Sequence, residues 1–261
     1  MKERLDILLI NKGLVTGRDR AKAVIMSGAV YVDGEQATKA GMTYPLDAEI
    51  VVKDTGMKYV SRGGYKLEKA LEVFPIELGG KVCLDVGAST GGFTDCMLQN
   101  GALRVYAIDV GYGQLDLKLR NDPRVVNMER TNIRYVEKLP EMADFFSVDV
   151  AFISLKLVVP VLKKLVQEGA FGVLLIKPQF EAGPKFVGKG GVVRDSKVHI
   201  EVIRSILELI QNEGFTALGL DYSPIKGPKG NIEYLLYVKK EPIEFEIDAE
   251  KTVNEAHKAL C

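Results

Sequence analysis

KVCLDVGASTGGFT, residues 81–94, runs from an apolar, β-prone segment through a glycine-rich turn into a helix start. Lys81–Val86 reads as a strand and Phe93–Gln99 as a helix closed by Asn100-Gly101. Glycines in such a turn let the backbone approach a ligand, and the helix start adds oriented N–H groups. The next apolar run, Arg104–Asp109, ends in a carboxylate 22 residues beyond Gly87, where it can accept hydrogen bonds from ribose hydroxyls. The turn is not GxGxxG, and Asp85 ahead of the glycines suits a cationic amino-acid ligand better than a pyrophosphate. That favours S-adenosylmethionine over NAD.

Outward from this stretch, strands and helices alternate. Val125–Met128, Phe146–Ile153 and Phe171–Lys177 read as strands, with helices after the last two. Ala217–Asp221 and Ile232–Val238 form a terminal hairpin around Gly227, Pro228 and Gly230. The alternation predicts an α/β fold with a Rossmann-like, mainly parallel sheet covered on both faces. Functional groups then belong at the C-terminal strand ends, and a last strand running antiparallel brings its beginning to the same edge; Asp149, Lys177 and Glu233 occupy strands that can place them there. Lys66, on the helix before the first strand, can complete two lysines and two acids. A competing enzyme reading uses Gly87-Ala88-Ser89-Thr90-Gly91 as a GxSxG nucleophile elbow, with Ser89, Asp149 and His199 in hydrolase order. Against it, His199 lies at helical spacing with Val202 and Ile203, as an ordinary helix residue does.

Of the 261 residues, 47% are hydrophobic and 27% charged, which excludes disorder and collagen. The richest apolar stretch, Phe145–Leu162, is broken by Asp149 and Lys156, so no membrane span is expected. The start, MKERLDILLINKG, lacks the marks of a signal peptide, and a cytoplasmic protein is the expectation. Cys83, Cys96 and Cys261 form no CxxC, and His199 and His257 are the only histidines, so no metal site is expected. Net charge is zero but unevenly spread: residues 241–261 hold six acids and two lysines, leaving 33 basic against 29 acidic residues elsewhere. Residues 1–22 carry six basic and three acidic side chains, and 177–197 five and two, which fits a face for a phosphate backbone.

The first fifty residues read as two short helices followed by strands. Leu5, Leu8 and Leu9 share a face before Gly13; Thr16 caps a helix over Arg18–Ser27, with Gly28 as its C′ residue. Arg18 and Lys22 line one side of that helix. Ala29–Val32 is a strand, Asp33-Gly34 a hairpin turn and Ala48–Val52 a further β-run. Arg4-Leu5-Asp6, Gly13-Leu14, the basic helix and Gly28–Gly34 together resemble the small RNA-binding module named after ribosomal protein S4.

Taken whole, the chain resembles the TlyA family, the haemolysin A-like rRNA 2′-O-methyltransferases, whose catalytic domain is FtsJ-like. The matching segments include Ser61–Leu67, Asp85–Thr94, Asp109–Leu115, Glu129–Asn132, Phe152–Leu155, Lys177–Glu181, Val187–Val193 and Asn231–Tyr234. The resemblance implies an RNA-binding domain over residues 1–53, a linker over 54–60 and a methyltransferase domain over 61–240; the acidic tail over 241–261, read from composition, holds a short helix over Asp248–Leu260. It places the family's catalytic Lys-Asp-Lys-Glu set on Lys66, Asp149, Lys177 and Glu233, with Lys177 as the base. S-adenosylmethionine would be held by Asp85, Gly87, Ser89, Gly91, Gly92, Phe93, Asp109, Tyr112, Gln114 and Asn132. Ribosomal RNA within ribosomal subunits is the implied partner, met by Arg4, Arg18, Arg20, Lys22, Lys185, Lys189 and Arg194; neither metal nor membrane is implied. Residues 178–195, long, glycine-rich and basic, read as a lid over that RNA. A binding-only ribosome factor and a membrane-lytic haemolysin are the other two readings; no apolar surface helix supports the last.

Overall fold

The structure is a computed structural model describing residues 2–15, 17–26, 29–52, 58–227 and 229–260. Thr16, Gly28, Lys53, Pro228 and most of the expected linker (54–57) therefore lie outside the described residues.

The N-terminal unit comprises β1 (Lys2–Arg4), α1 (Leu5–Asn11), α2 (Arg18–Met26), β2 (Val30–Val32), β3 (Glu35–Gln36), β4 (Thr43–Pro45) and β5 (Ile50–Val52). β3, β2 and β5 form one antiparallel sheet in that order, and β1 pairs with β4. Asp33 and Gly34 both have positive φ (51° and 85°), the requirement of the primed turn that the Asp-Gly pair predicts. Leu5, Leu9, Val24, Ile25, Val30 and Val32 close a small core between helices and sheet.

The larger unit comprises α3 (Gly64–Val73), β6 (Val82–Val86), α4 (Gly92–Gln99), β7 (Arg104–Ile108), α5 (Leu117–Arg120), β8 (Val125–Met128), β9 (Ala143–Val148), α6 (Val159–Leu165), β10 (Val166–Ile176), α7 (Pro178–Glu181), α8 (Ser196–Asn212), β11 (Thr216–Tyr222), β12 (Tyr234–Lys239) and α9 (Ala249–Leu260). Its seven-stranded sheet has the order β11-β12-β10-β9-β6-β7-β8, with β12 antiparallel to both neighbours and the other pairings parallel. Alternate residues of each strand serve opposite faces. Leu84, Val86, Phe146, Val148, Leu174 and Leu236 pack toward α6, α8 and α9, whereas Cys83, Phe145, Val173, Leu175 and Leu235 pack with α3 and α4.

Two sequence expectations are corrected here. The strand expected over Phe146–Ile153 lies at Ala143–Val148, because the apolar residues Val150, Phe152 and Ile153 line a cleft beyond the sheet edge instead of extending the ladder. In residues 241–261 the short helix expected over Asp248–Leu260 does form, but it is not part of a free tail: α9 packs on α8 and β11, with Val253 and Ala256 fully buried in the main core. Its charged residues face water while its apolar stripe completes one face of the sheet. Next to the undescribed part of the linker, Tyr59 is buried and the Val60 N–H donates to Asp95 (2.9 Å), so residues 59 and 60 already belong to the larger unit.

Candidate active site

β6 and β9 are neighbours, yet the chain leaves β6 toward β7 and reaches β9 only after β8, so the strand order reverses between them. A crevice opens at the carboxyl ends of strands at such a point. The Asp149 N–H donates to the Val86 carbonyl (2.9 Å), drawing the two strand ends together. Gly87, at φ 86°, makes that approach possible: a Cβ there would lie 2.5 Å from the Asp149 carbonyl oxygen. The cleft has a volume of about 710 Å³, with Gly87, Ser89, Asp109, Gln114, Asn132 and Asp149 among its walls. That is the size of an ordinary small-molecule site.

Asp109 accepts the Ser89 N–H on one oxygen and the Gly111 N–H on the other, each at 2.7 Å. Each carboxylate oxygen keeps a lone pair for a hydroxyl. Gln114 accepts from the Ser89 hydroxyl (3.2 Å), and Asn132 caps the 3-10 turn Ile133–Tyr135 through the Arg134 N–H (3.1 Å). The other residues expected at the cofactor lie elsewhere. Asp85 is fully buried beneath the loop and accepts hydrogen bonds from Thr94 (2.7 Å) and Ser147 (3.0 Å); burial pushes its carboxyl up to about 6 against those bonds. It ties α4 to β9 and is not among the residues lining the cleft. Gly91 and Gly92 also face inward, where a Cβ would meet Leu119 at 2.2 Å or Ser61 at 2.3 Å, and Phe93 is buried. Tyr112 is exposed, with the Arg130 guanidinium 4.0 Å from its ring centroid.

The four charged residues expected at the sheet edge do converge. Register explains three of them: Leu174 pairs with Val148, and Ile176 with Tyr234, so Asp149, Lys177 and Glu233 all stand just beyond the last paired residues. Lys66 arrives from α3, on the same buried face as Leu67 and Ala70. Its Nζ lies 2.7 Å from Glu233 Oε2 and 3.3 Å from Asp149 Oδ2. Lys177 Nζ pairs with Asp149 Oδ1 and donates to the Val150 carbonyl at 2.9 Å. Burial alone would push Lys66 down, but Asp149 and Glu233 outweigh it and the net direction is up. Asp149 moves the other way: burial would raise it, yet Lys66 and Lys177 hold it below the usual carboxylate value. The result is an alternating chain of two anions and two cations, Glu233-Lys66-Asp149-Lys177.

His199 stands apart from Ser89 and Asp149. It is buried, and its ring nitrogens meet the Tyr234 hydroxyl (2.7 Å), the Val193 carbonyl (3.0 Å) and His257 (3.3 Å). The hydrolase triad therefore does not form. Among the described residues there is no cluster of metal-ligating side chains, and no helix is long and apolar enough to cross a membrane.

Of the expected RNA contacts, Arg18, Lys22, Lys185, Lys189 and Arg194 are exposed. Arg4 forms a two-point contact with buried Asp6 (2.8 and 2.9 Å). Arg20 is half-buried: it donates to the Val60 carbonyl and lies 3.5 Å from Asp116, joining the N-terminal unit to the larger one. Residues 178–195 are not a free lid, because Val193 is buried, its N–H donates to Asn231, and Asn231 in turn donates to the Gly191 carbonyl. Sequence reasoning missed Phe152, whose φ is 63° and whose side chain is 91% exposed at the cleft, with its ring centroid 5.2 Å from that of Phe180. An exposed phenylalanine held in the left-handed region is a costly arrangement, and only the strand-like look of its neighbours concealed it.

Residues 59–240 match the model of the FtsJ-like methyltransferase family, and residues 3–50 match that of the S4 domain. YqxC of Bacillus subtilis, provisionally named as an rRNA methyltransferase, is 48% identical, the match covering 99% of this chain and 95% of the relative. The 16S/23S rRNA (cytidine-2′-O)-methyltransferase TlyA of Mycobacterium tuberculosis is 43% identical over 92% of this chain and 91% of its own. A solved structure from Streptococcus thermophilus that bears the hemolysin name superposes with a TM-score of 0.79 at 44% identity, covering 99% of this chain and 96% of that one.

Proposed function

Because the chain belongs to the TlyA family of FtsJ-like methyltransferases, with an S4 domain at its N-terminus, we propose that it transfers the methyl group of S-adenosylmethionine to a ribose 2′-hydroxyl of ribosomal RNA. The activity named for the M. tuberculosis relative points to a cytidine of 16S or 23S rRNA. The observation that carries this reading is the Lys66-Asp149-Lys177-Glu233 array beside the glycine-loop cleft.

The cleft fits the cofactor on its own geometry: Gly87 admits close approach where a side chain would collide, and Asp109 keeps lone pairs for ribose hydroxyls. Gln114 and Asn132 would flank it. When bound, S-adenosylmethionine supplies a methyl on a sulfonium, so the leaving group needs no further activation. The chain has to position and deprotonate a poor nucleophile. Lys177 has two acceptors, Asp149 and the Val150 carbonyl, which fix two directions at its nitrogen and leave one for the hydroxyl. It acts as a neutral amine at the moment of transfer and takes the hydroxyl proton as the oxygen–methyl bond forms. Lys66, kept charged by Asp149 and Glu233, holds Asp149 in place beside Lys177. Phe152 offers an exposed aromatic face beside the cleft on which an unstacked base can rest.

Residues 1–53 would hold structured RNA through Arg18 and Lys22 while residues 61–240 carry out the transfer. The test is transfer of labelled methyl to separated small and large ribosomal subunits, with the product mapped to the ribose. Label on 2′-O from the wild type and none from Lys177→Ala is the expected result. Absence of label on both subunits from a wild-type protein shown to bind S-adenosylmethionine would overturn it.

A further inference from the structure

α7 is a single turn, yet four of the five residues from Lys177 to Glu181 each reach a different wall of the site. Lys177 holds Asp149, Phe180 packs on Phe152, and Glu181 accepts from the Ser154 hydroxyl (2.6 Å) and the Leu155 N–H (2.8 Å). Gln179 reaches the fourth wall: its Nε2 donates to Glu233 Oε1 at 3.4 Å. Which way that amide faces is settled by its partner. An ionised carboxylate only accepts, and Glu233, paired with Lys66, therefore takes the NH2 end. The amide oxygen is left buried with no partner among the described residues. A buried polar atom without a partner is unfavourable, and a residue of similar shape without the amide would avoid it.

Among the described residues, Glu233 has no other donor to its far oxygen. Its near oxygen, Oε2, is on Lys66, while Oε1 lies against the backbone of Gly227, where a Cβ would come within 2.5 Å. Gly227 leaves the carboxylate room without giving it a donor. Should Oε1 lose Gln179, the carboxylate can rotate away from Lys66, whose nitrogen then shifts toward Asp149, the group that also holds Lys177.

Resting on the methyl-transfer reading above, we propose that Gln179 is a positioning residue for that reaction. It acts through Glu233 and Lys66 to keep Asp149 and Lys177 in register, and it keeps an unpartnered oxygen for that purpose. Misplacing a reacting group by about an ångström can cost on the order of 100-fold in rate.

The test uses the full-length protein and the ribosomal-subunit assay with Gln179→Met, which keeps length and volume but removes both amide atoms. Turnover is expected to fall about 10-fold or more, with KM for RNA and affinity for S-adenosylmethionine unchanged and the melting temperature equal or higher. Glu233→Gln and the double variant complete a cycle. If Gln179 works through Glu233, the second substitution adds little to the first, whereas independent effects would multiply. Wild-type turnover in Gln179→Met, a rate loss matched by lost cofactor affinity or melting temperature, or multiplicative loss in the double variant would each overturn the proposal. A wild type that transfers no methyl would instead sink the methyl-transfer reading, so the two failures are distinguishable.

Discussion

The sheet edge and the N-terminal unit both concentrate charge, and they dispose of it in opposite ways. At the edge, Lys66, Asp149, Lys177 and Glu233 come from four separate elements or their ends and are locked into mutual pairs, three of them buried and Asp149 half-buried at the cleft. On α2, Arg18 and Lys22 stand exposed on a short helix. Buried pairs make geometry, and losing one member strands the others. Exposed cations make a long-range attraction that salt screens. Substitutions should therefore be abrupt and coupled at the edge but graded and salt-dependent on α2.

The largest expected effect is on turnover. Lys177→Ala should lower single-turnover methylation by about 100- to 10,000-fold, the range for a lost general base, while S-adenosylmethionine binding by calorimetry stays near wild type. Next comes Gly87→Ala, which places a Cβ 2.5 Å from the Asp149 carbonyl at a residue with positive φ. Cofactor affinity should fall at least about 10-fold and stability by roughly 1–3 kcal/mol, read by calorimetry and urea melts. Arg18→Ala with Lys22→Ala should raise KM for RNA with turnover unchanged, and the slope of log affinity against log salt should fall by about 1 for each phosphate contact removed. An unchanged slope would show that α2 does not meet the phosphate backbone, and the contrast with the edge would disappear.

The smallest effect is on pH. His199 and His257 both titrate below the ordinary imidazole value of 6.5, burial being the first cause in each. The unfolded chain therefore takes up these protons first. Their contribution to stability is complete above 6.5 and is lost as pH falls from there toward the folded values. Asp85 acts oppositely: its folded value of about 6 lies above the ordinary 3.8, so its contribution declines as pH rises between the two. His257→Leu should flatten the acid side of the melting curve, by a few degrees at most (about 2–4 °C per kcal/mol for a chain of this size).

Much of the edge was legible in sequence because strand ends follow from periodicity: once Lys81–Val86, Phe171–Lys177 and an antiparallel last strand are recognised, Lys177 and Glu233 have few other places to go. Which side of a loop a residue faces has no such periodic signature. Asp85 and Asp109 both flank the glycine turn as strand-end acids, yet one lies beneath it and the other faces the cleft. Strand register decides between them, and register is a tertiary property. The contacts of Arg20 with the larger unit have no signature either, since a helix face contacted by another unit looks the same in sequence as one open to solvent. The helix at the end of residues 241–261 was legible, but its packing on α8 and β11 was not, because acids dominate that segment's composition.

The placement of β12 also bears on the order of assembly. It lies between β10 and β11, so the strand latest in sequence is interior, and the sheet is continuous only after it inserts. Glu233 enters with it. Such a non-local pairing carries a large chain-closure cost and forms slowly. A folding intermediate with β12 still detached would have the S4 unit and the glycine turn in place, yet Lys66 would face one carboxylate instead of two. Such an intermediate could bind RNA before it could modify it, and the appearance of methyl transfer during refolding would time the closure of the sheet.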